Sequence, residues 1–193
     1  ITSSTAGVIV EVIQGDAGVR IGKQEWIEAL RKRCDETGAQ LIFDEIQTGF
    51  GRTGKLFGFE HYGVVPDIMT MAKGFGGGMP IGGFVSSYEK MNELTHNPIL
   101  GHITTFGGHP VVCAAALANL KAIQAEKMLD GVEEKGKLLE ETIAHPSIIE
   151  IRRKGLMFAI EFQSAELVHE IVTKCIEQGV ITYWFLSCPE SFR

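Results

Sequence analysis

The chain has 193 residues, of which 45% are hydrophobic and 22% charged, and its formal net charge at pH 7 is −6. These values are typical of a globular protein with one core or two small ones, and no apolar run reaches the ~20 residues that a membrane-spanning helix needs. The acidic balance disfavours nucleic acids and anionic membranes as partners, and it leaves a small molecule as the better default ligand.

The cysteines predict no metal site and no redox motif, because none belongs to a CxxC pair. We interpret Cys34, Cys113, Cys175 and Cys188 as small buried hydrophobes in a reducing compartment. The sequence begins without the basic and apolar pattern of a signal peptide. We therefore expect a soluble protein of the cytoplasm.

Four short apolar runs in the first half predict strands. Residues 7–13 and 39–46 are rich in β-branched side chains and nearly continuous in apolar character, as strands covered on both faces tend to be. Residues 67–72 and 81–87 predict two more strands, on either side of a glycine-rich loop. The pattern is typical of an α/β fold with a mixed or parallel sheet and helices on both faces.

A helix is predicted between the first two strands, over residues 23–38, and it ends at a glycine. Its apolar residues at helical spacing are Trp26, Ile27, Leu30 and Cys34. The strand, the helix and the next strand together predict a βαβ unit.

The second half has a different pattern. Residues 111–145 predict a long helical stretch that is interrupted near 128–131. Two short strands about Gly155, a helix over 165–178 and a strand over 180–185 follow. We expect residues 1–109 to belong to a large domain, 110–126 to form a connecting helix, and 127–193 to belong to a small α+β domain. We also expect the chain to be a fragment of a longer one.

Two near matches to a phosphate-binding P-loop open a nucleotide hydrolase as an alternative. They are "GFGRTGKL" from Gly49 and "GVEEKGKL" from Gly131. Each has Leu where the motif needs a hydroxyl that holds magnesium, and neither leads from a strand into a helix. The alternative is therefore weak.

Lys73 stands between a predicted strand and the glycine-rich loop, in "DIMTMAKGFGGGMPIGG". A side chain at the carboxyl end of a strand points into the crevice where α/β sheets bind ligands, and glycines let a ligand approach the backbone closely. Asp44 ends another predicted strand, in "LIFDEIQTG". A lysine and a carboxylate in one crevice suit pyridoxal phosphate, because the lysine forms a Schiff base and the acid keeps the ring nitrogen protonated.

The stretch "DEIQTGFGRTGKLFGFEHYGVVPDIMTMAKGFGGGMPIGG", with "VIVEVIQGDAGV", "HITTFGGHP", "IRRKGLMFAIEF" and "SFR", resembles the class III pyridoxal-phosphate aminotransferases. This family includes ornithine, acetylornithine and 4-aminobutyrate aminotransferases. The resemblance covers nearly the whole chain and implies the C-terminal half of a fold-type-I enzyme. Residues 1–109 would then be part of the large pyridoxal-phosphate-binding domain, with a mixed sheet and flanking helices.

The resemblance also implies roles for residues around the cofactor. Lys73 matches the Schiff-base lysine and Asp44 the partner of the pyridinium nitrogen. Gln47 matches the amide that approaches the 3-oxygen of the cofactor. Thr105, in "TTFGG", matches a threonine that donates to the cofactor phosphate of the neighbouring subunit, which implies a homodimer with composite active sites.

Glu11 and Arg193 match residues that the family uses at the substrate. The glutamate pairs with the arginine in part of the family and gates which carboxylate that arginine accepts. Arg152, the first arginine of "IRRKGL", is interpreted as structural. His109 replaces a frequent asparagine, and we interpret it as a histidine that is satisfied at the entry to a helix.

The resemblance predicts a transaminase that moves an amino group from an ornithine-, acetylornithine- or omega-amino-acid-like donor to 2-oxoglutarate. Lys73 and Asp44 would be its catalytic residues, and no metal is expected. A mutase, racemase or decarboxylase of the same fold shares these residues. A truncated chain that only dimerises is a further alternative, since the fragment alone would hold about half a site and be inactive.

Overall fold

The computed structural model of the chain describes residues 1–99 and 102–193. The strands are β1 (Gly7–Val10), β2 (Ile13–Gln14), β3 (Arg20–Ile21), β4 (Gln40–Asp44), β5 (Ile68–Met71), β6 (Gly83–Ser86), β7 (Glu150–Lys154), β8 (Met157–Glu161) and β9 (Ser191–Phe192). The α-helices are α1 (Gln24–Thr37), α2 (Tyr88–Glu93), α3 (Pro110–Ala125), α4 (Val132–Thr142) and α5 (Ala165–Glu177). In the part of the chain that is described, no helix has the length and apolar character to cross a membrane.

A four-stranded mixed sheet forms the first part of the fold, in the order β1-β4-β5-β6. The β1–β4 and β4–β5 pairs are parallel, and β5–β6 is antiparallel. Helix α1 lies in the connection between β1 and β4, which confirms the predicted βαβ unit and mixed sheet. The carboxyl ends of β4 and β5 meet at one edge of this sheet, where open α/β sheets bind their ligands.

The first predicted strand, 7–13, is wrong in its second half. Strand β1 ends at Val10, and the chain then enters a small β2–β3 hairpin that the sequence did not predict. The carbonyl of Val12 accepts hydrogen bonds from the backbone N–H of Gly22 at 3.0 Å and from the hydroxyl of Tyr62 at 3.2 Å. It is therefore unavailable to a neighbouring strand.

Helix α1 packs on the sheet through one stripe of its surface. Ile27, Leu30 and Cys34 are buried at helical spacing, and the helix ends at Gly38 with a φ of 76°, as predicted. Trp26 is 49% exposed, so its inclusion in the apolar face is wrong. It lies one residue before Ile27 and is thus rotated by about 100° from that stripe.

The predicted interruption of the long helical stretch is confirmed. Helix α3 ends at Ala125, and α4 begins at Val132 after Gly131, whose φ is 78°. A left-handed residue ends one helix direction and starts another at low cost when it is glycine. The two near matches to a P-loop fall in the turns that start at Gly49 and in the first turns of α4, and neither leads from a strand into a helix.

A three-stranded antiparallel sheet, in the order β7-β8-β9, forms the second part. The two predicted strands about Gly155 are confirmed. The strand predicted over 180–185 is wrong, because only Trp184 makes a bridge, to Phe192. Residues 191–192 instead pair with β8, and residues 183–185 hydrogen-bond to the backbone of 191–193.

The largest buried apolar cluster joins the two parts. It contains Leu41 and Phe43 of β4 together with Met157 and Ala159 of β8 and the side chain of Phe185. Burial of side chains of this size contributes about 1.5–3 kcal/mol each. The space between the two sheets is therefore held by a common core, while the proposed domain boundaries stay a prediction.

The cysteines only partly follow their prediction. All four are free, and Cys34 and Cys188 are buried. Cys113 is exposed and Cys175 is only half-buried, so the prediction of burial is wrong for these two. Cys113 lies near the start of α3.

Candidate active site

Asp44 and Lys73 lie after adjacent strands at the same edge of the first sheet. Asp44 is the last residue of β4 and stands opposite Thr70 of β5. Lys73 follows the end of β5 by two residues. A carboxylate oxygen of Asp44 accepts a hydrogen bond from the backbone N–H of Ile46 at 2.9 Å, which turns the chain away from the sheet at that point. The predicted neighbourhood of these two residues follows from the strand order.

Lys73 begins a single turn of 3₁₀ helix, Lys73–Gly76, with its backbone in the left-handed region at a φ of 46°. Such a φ is uncommon for residues other than glycine and costs on the order of 1 kcal/mol. Gly77 and Gly78 follow with φ values of 57° and 99°. The glycine-rich loop thus supplies conformations that place a lysine at a sharp turn, and residues in such strained conformations are concentrated at functional sites.

The segment after Asp44 is fixed by Glu45, a residue that the sequence reasoning missed. Glu45 is fully buried. Its carboxylate accepts hydrogen bonds from the hydroxyl of Thr48, from the backbone N–H of Gly58 at 2.8 Å and from that of Phe59 at 2.7 Å. Burial is the largest influence and raises the pKa of Glu45, while these hydrogen bonds oppose the rise. The signal for it was the second acid of "DE", directly after a buried strand.

Gln47 packs against the backbone of Gly15. A Cβ atom at Gly15 would lie 2.4 Å from Nε2 of Gln47, so a side chain there would displace the amide. Oε2 of Glu11 accepts a hydrogen bond from the backbone N–H of Gly15 at 2.9 Å. Glu11 therefore holds the turn that contacts Gln47, although its predicted role at the substrate stays a prediction.

Arg193 is held beside Tyr183 and Phe185. The backbones of Tyr183 and Arg193 exchange hydrogen bonds of 3.0 and 2.8 Å. The guanidinium carbon lies 5.4 Å from the ring centre of Phe185 and 5.9 Å from that of Tyr183, within cation–π range. Its Nη1 donates to Oε1 of Gln47 at 3.4 Å. Within the described residues, no ion pair joins Arg193 to Glu11 or to another carboxylate.

Arg152 ties the second sheet to the first part of the chain, which agrees with its interpretation as structural. The side chain is only 8% exposed. Its Nε donates to the carbonyl of Gly18 at 2.6 Å and its Nη2 to the hydroxyl of Ser191 at 3.1 Å. Burial works against its charge, but the neighbouring carboxylates of Glu161 and Glu150 outweigh burial and raise the pKa of Arg152.

A cavity of about 740 Å³ brings three of the predicted residues together. Lys73, Gln47 and Arg193 all line it. Arg52 is the other charged residue of the lining, which is otherwise glycine and apolar side chains from α3, α4, β8 and the connecting loops. A volume of this size is typical of sites for small molecules and cofactors.

Several of the residues named in the sequence analysis lie outside this lining. Asp44 stands at the end of β4, and Glu11 contacts the backbone of Gly15. Thr105 is exposed in the loop before α3. His109 caps that helix, since its Nδ1 accepts from the backbone N–H of Val111 at 3.3 Å, which confirms its interpretation as a histidine at a helix entry.

Comparison with known proteins gives a family. The model of the family "Aminotransferase class-III" matches residues 1–188. The chain is 45% identical to an acetylornithine aminotransferase of Caldanaerobacter subterraneus subsp. tengcongensis over 186 residues, which are 94% of this chain and 46% of that protein. It is 42% identical to a putrescine aminotransferase of Pectobacterium atrosepticum over 200 residues, covering 97% of this chain and 42% of that protein.

Solved structures give the same relationship. The ornithine aminotransferase of Toxoplasma gondii, a protein with pyridoxal phosphate at its active site, superposes with a TM-score of 0.88 at 33% identity. The alignment covers 99% of this chain and 46% of that one. An aminotransferase of Bacillus anthracis superposes with a TM-score of 0.87 at 34% identity, covering 97% and 46%. The chain thus spans less than half of the length of each of these relatives.

Proposed function

Because the chain belongs to the class-III aminotransferase family, we propose that the whole protein is a pyridoxal-phosphate-dependent transaminase. It would transfer an amino group from an ornithine-, acetylornithine- or omega-amino-acid-like donor to 2-oxoglutarate. The observation that carries this proposal is the strained lysine, Lys73, at the end of β5, next to the strand that ends in Asp44 and on a cavity that Arg193 also lines.

The residues at this edge of the sheet fit the cofactor. The amine of Lys73 would hold the aldehyde carbon, the carboxylate of Asp44 would face the ring nitrogen, and the amide of Gln47 would approach the 3-oxygen. The absence of a Cβ atom at Gly15 lets the amide of Gln47 pack against the backbone, and its absence at Gly74 lets Phe50 pack against the turn after Lys73. When bound, pyridoxal phosphate supplies an electron sink for the carbon that carries the amino group.

The chain's own groups move the protons and hold the charges. When it is not bonded to the cofactor, the amine of Lys73 is placed to take the proton from the donor carbon as a general base and to return it as a general acid. The negative charge of Asp44 would keep the ring nitrogen protonated. The hydrogen bond from the backbone N–H of Ile46 at 2.9 Å fixes that carboxylate. A fixed charge needs no reorganisation during the reaction, which is the reason that such groups are effective.

The charges of the cavity indicate the class of donor. In the part of the chain that is described, the charged residues of the lining are Arg52, Lys73 and Arg193, and no carboxylate belongs to it. A donor with a carboxylate gains from these cations, whereas a diamine is repelled by them. Arg52 and Arg193 also provide two cations for a dicarboxylate such as 2-oxoglutarate. We therefore propose a carboxylate-bearing donor rather than putrescine.

Assembly and location are further parts of the proposal. Thr105 is exposed, and His109 rather than Thr105 caps α3. These facts support a role for Thr105 outside its own helix, at the cofactor phosphate of a partner subunit in a homodimer. The four free cysteines support a cytoplasmic location, because thiols stay reduced there.

Borohydride trapping tests the proposal in the full-length protein. Wild type, Lys73→Ala and Lys121→Ala are incubated with pyridoxal phosphate, reduced and mapped by peptide mass spectrometry. Lys121 is an exposed lysine of α3 and serves as the matched control. We expect the adduct on Lys73 in wild type and in the control. Both proteins should also form glutamate from 2-oxoglutarate in samples that are not reduced. A trapped adduct at one defined lysine of Lys73→Ala, or product from Lys73→Ala at the wild-type rate, would overturn the assignment.

A further inference from the structure

The turn that carries Lys73 is stabilised by contacts from other elements. Lys73 has a φ of 46°, and the four residues that follow it include three glycines, which add no side-chain contacts. At the two ends of the turn, the backbone N–H of Phe75 donates to the carbonyl of Ala72 at 3.0 Å and that of Gly77 to the carbonyl of Gly74 at 3.4 Å. Glycine-rich backbone has the largest conformational freedom to lose, so contacts from outside the turn matter for the position of the lysine.

Asn119 of α3 hydrogen-bonds to one side of the turn. Its Nδ2 donates to the carbonyl of Gly74 at 2.7 Å and to that of Phe75 at 3.5 Å. A Cβ atom at Gly77 would lie only 2.8 Å from Cβ of Asn119. The side chain of Asn119 therefore packs beside Gly77 and donates from its amide to two carbonyl acceptors within the turn.

Phe50 packs against the other side of the turn. Its ring stacks on that of Phe75 with centres 5.3 Å apart and planes at 16°. A Cβ atom at Gly74 would lie 3.2 Å from Cβ of Phe50. Phe50 itself has a left-handed φ of 58°. The turn is thus fixed between a helix and the segment that also carries Gln47.

We propose that Asn119 is a positioning residue for Lys73. It acts through the carbonyl of Gly74, the residue after the lysine, and keeps the strained backbone of Lys73 in the conformation that points the amine at the cavity. The catalytic part of this inference rests on the proposed function. The structural part, that Asn119 holds the turn, does not depend on it.

The structural part is tested by hydrogen exchange in the full-length protein without added cofactor. Asn119→Ala removes the donor, Asn119→Asp keeps the shape but replaces the donor with an acceptor, and Gln124→Ala is the control. Gln124 is an exposed amide on the same helix. We expect exchange of the Phe75 and Gly77 amides to rise about 2- to 10-fold in both Asn119 variants, the range that the loss of one hydrogen bond gives. Exchange equal to that of the control in both variants would overturn the proposal.

The two Asn119 variants also separate shape from hydrogen bonding. An increase in Asn119→Ala with wild-type exchange in Asn119→Asp would mean that packing alone holds the turn, and would overturn the role of the amide donor. If Asn119→Ala fails to fold, Asn119→Asp decides alone, because it lacks the donor and keeps the shape. If Asn119→Asp fails to fold, unchanged exchange in Asn119→Ala still overturns the proposal.

The catalytic part is tested with pyridoxal phosphate and a saturating amino donor in single-turnover experiments. We expect Asn119→Ala to bind the cofactor, to keep its visible absorbance band and to lose about 10- to 100-fold in the rate of the donor half-reaction, the scale of a small misplacement of a reacting group. Gln124→Ala should react like wild type. An unchanged rate in Asn119→Ala would overturn the positioning role. A wild type without any visible band or donor reaction would instead overturn the proposed function, whatever the exchange result.

Discussion

Arg193 lies with its guanidinium carbon 5.4 Å from the ring centre of Phe185. Phe185 is 1% exposed and belongs to the core that joins the two sheets. A cation over a buried aromatic ring is held without being neutralised. Arg193 therefore keeps its charge available for a carboxylate, and its position is set by the core rather than by an ion pair.

Replacement of Arg193 by Lys should raise KM for the carboxylate-bearing donor about 10- to 100-fold, with a smaller effect on kcat. A lysine cannot make the bidentate contact of a guanidinium, and the loss corresponds to about 1.5–3 kcal/mol for a hydrogen bond to a charged group. Steady-state kinetics with the donor varied would measure this. Arg33→Lys, at an exposed position of α1, is the matched control. An unchanged KM in Arg193→Lys would show that another cation binds the carboxylate.

Asp44→Asn should keep the local fold and lose most of the rate. The amide oxygen of Asn can still accept from Ile46, as Oδ1 of Asp44 does at 2.9 Å, but the negative charge is gone. We expect kcat to fall by the equivalent of about 3 kcal/mol, the scale of a lost electrostatic group. Thermal unfolding should be nearly unchanged, which separates this effect from misfolding. A turnover near that of wild type would mean that a different acid faces the ring.

The sequence predicted this edge of the sheet because each part of it has a local signal. Asp44 and Lys73 each follow a short apolar run, and parallel strand order brings such ends together. Gly38 and Gly131 also mark helix boundaries where they stand, since their left-handed φ values suit glycine. Elements of this kind depend on neighbours in sequence, and they were predicted.

The missed features depend on contacts between distant residues. Glu45 is a buried acid, and two of its three donors are the backbone N–H groups of Gly58 and Phe59, more than ten residues away. No side-chain pattern announces such donors. The strand predicted at 180–185 was wrong for a similar reason, because the edge of β8 is taken by Ser191 and Phe192. Competition for a sheet edge is decided by tertiary structure, not by β-propensity.

Asp67 should make stability depend on pH. Its carboxylate accepts hydrogen bonds from Arg31 at 2.8 Å, from the backbone N–H of Leu41 at 2.8 Å and from Lys90 at 2.9 Å. Burial works to raise its pKa, but the bonds from Lys90, Leu41 and Arg31 outweigh burial and lower the pKa of Asp67 from 3.8 to about 2. The stabilisation is therefore complete well above pH 3.8 and is lost as the pH falls through the folded pKa.

Asp67→Asn should accordingly lower the free energy of unfolding at pH 7 by about 2 kcal/mol, since one pKa unit corresponds to about 1.4 kcal/mol. Denaturant unfolding of the full-length protein at pH 7 and at pH 3 would measure the difference from wild type at each pH. The difference should be smaller at pH 3. Asp130→Asn, at an exposed aspartate, is the control and should show almost no difference at either pH. A loss in Asp67→Asn that stays constant with pH would mean that the residue acts by shape rather than by charge.

The shared active site of the proposed homodimer can be tested by mixing two inactive variants of the full-length protein, Lys73→Ala and Thr105→Ala. If Thr105 serves the phosphate of the partner subunit, a mixed dimer places both lesions in one site and leaves the other site intact. Activity should then return to at most about half of the wild-type value per mixed dimer. If Thr105 serves its own subunit, each site of the mixed dimer keeps one lesion and no activity returns.

The experiment depends on subunit exchange and on a Thr105→Ala variant that is folded yet impaired. Exchange is verified by native mass spectrometry of the mixture, and folding by the circular dichroism spectrum of each variant. Thr95→Ala replaces Thr105→Ala in the control mixture with Lys73→Ala. Thr95 is exposed, and its hydroxyl hydrogen-bonds to the neighbouring residues Asn92 and His96. The Thr95→Ala variant should be active alone, and its mixture should contain no more activity than its own share. Recovery in the Thr105 mixture at verified exchange supports the shared site, because intact Lys73 and intact Thr105 then meet only across the subunit boundary. No recovery at verified exchange would place the hydroxyl of Thr105 in its own subunit and contradict the composite site.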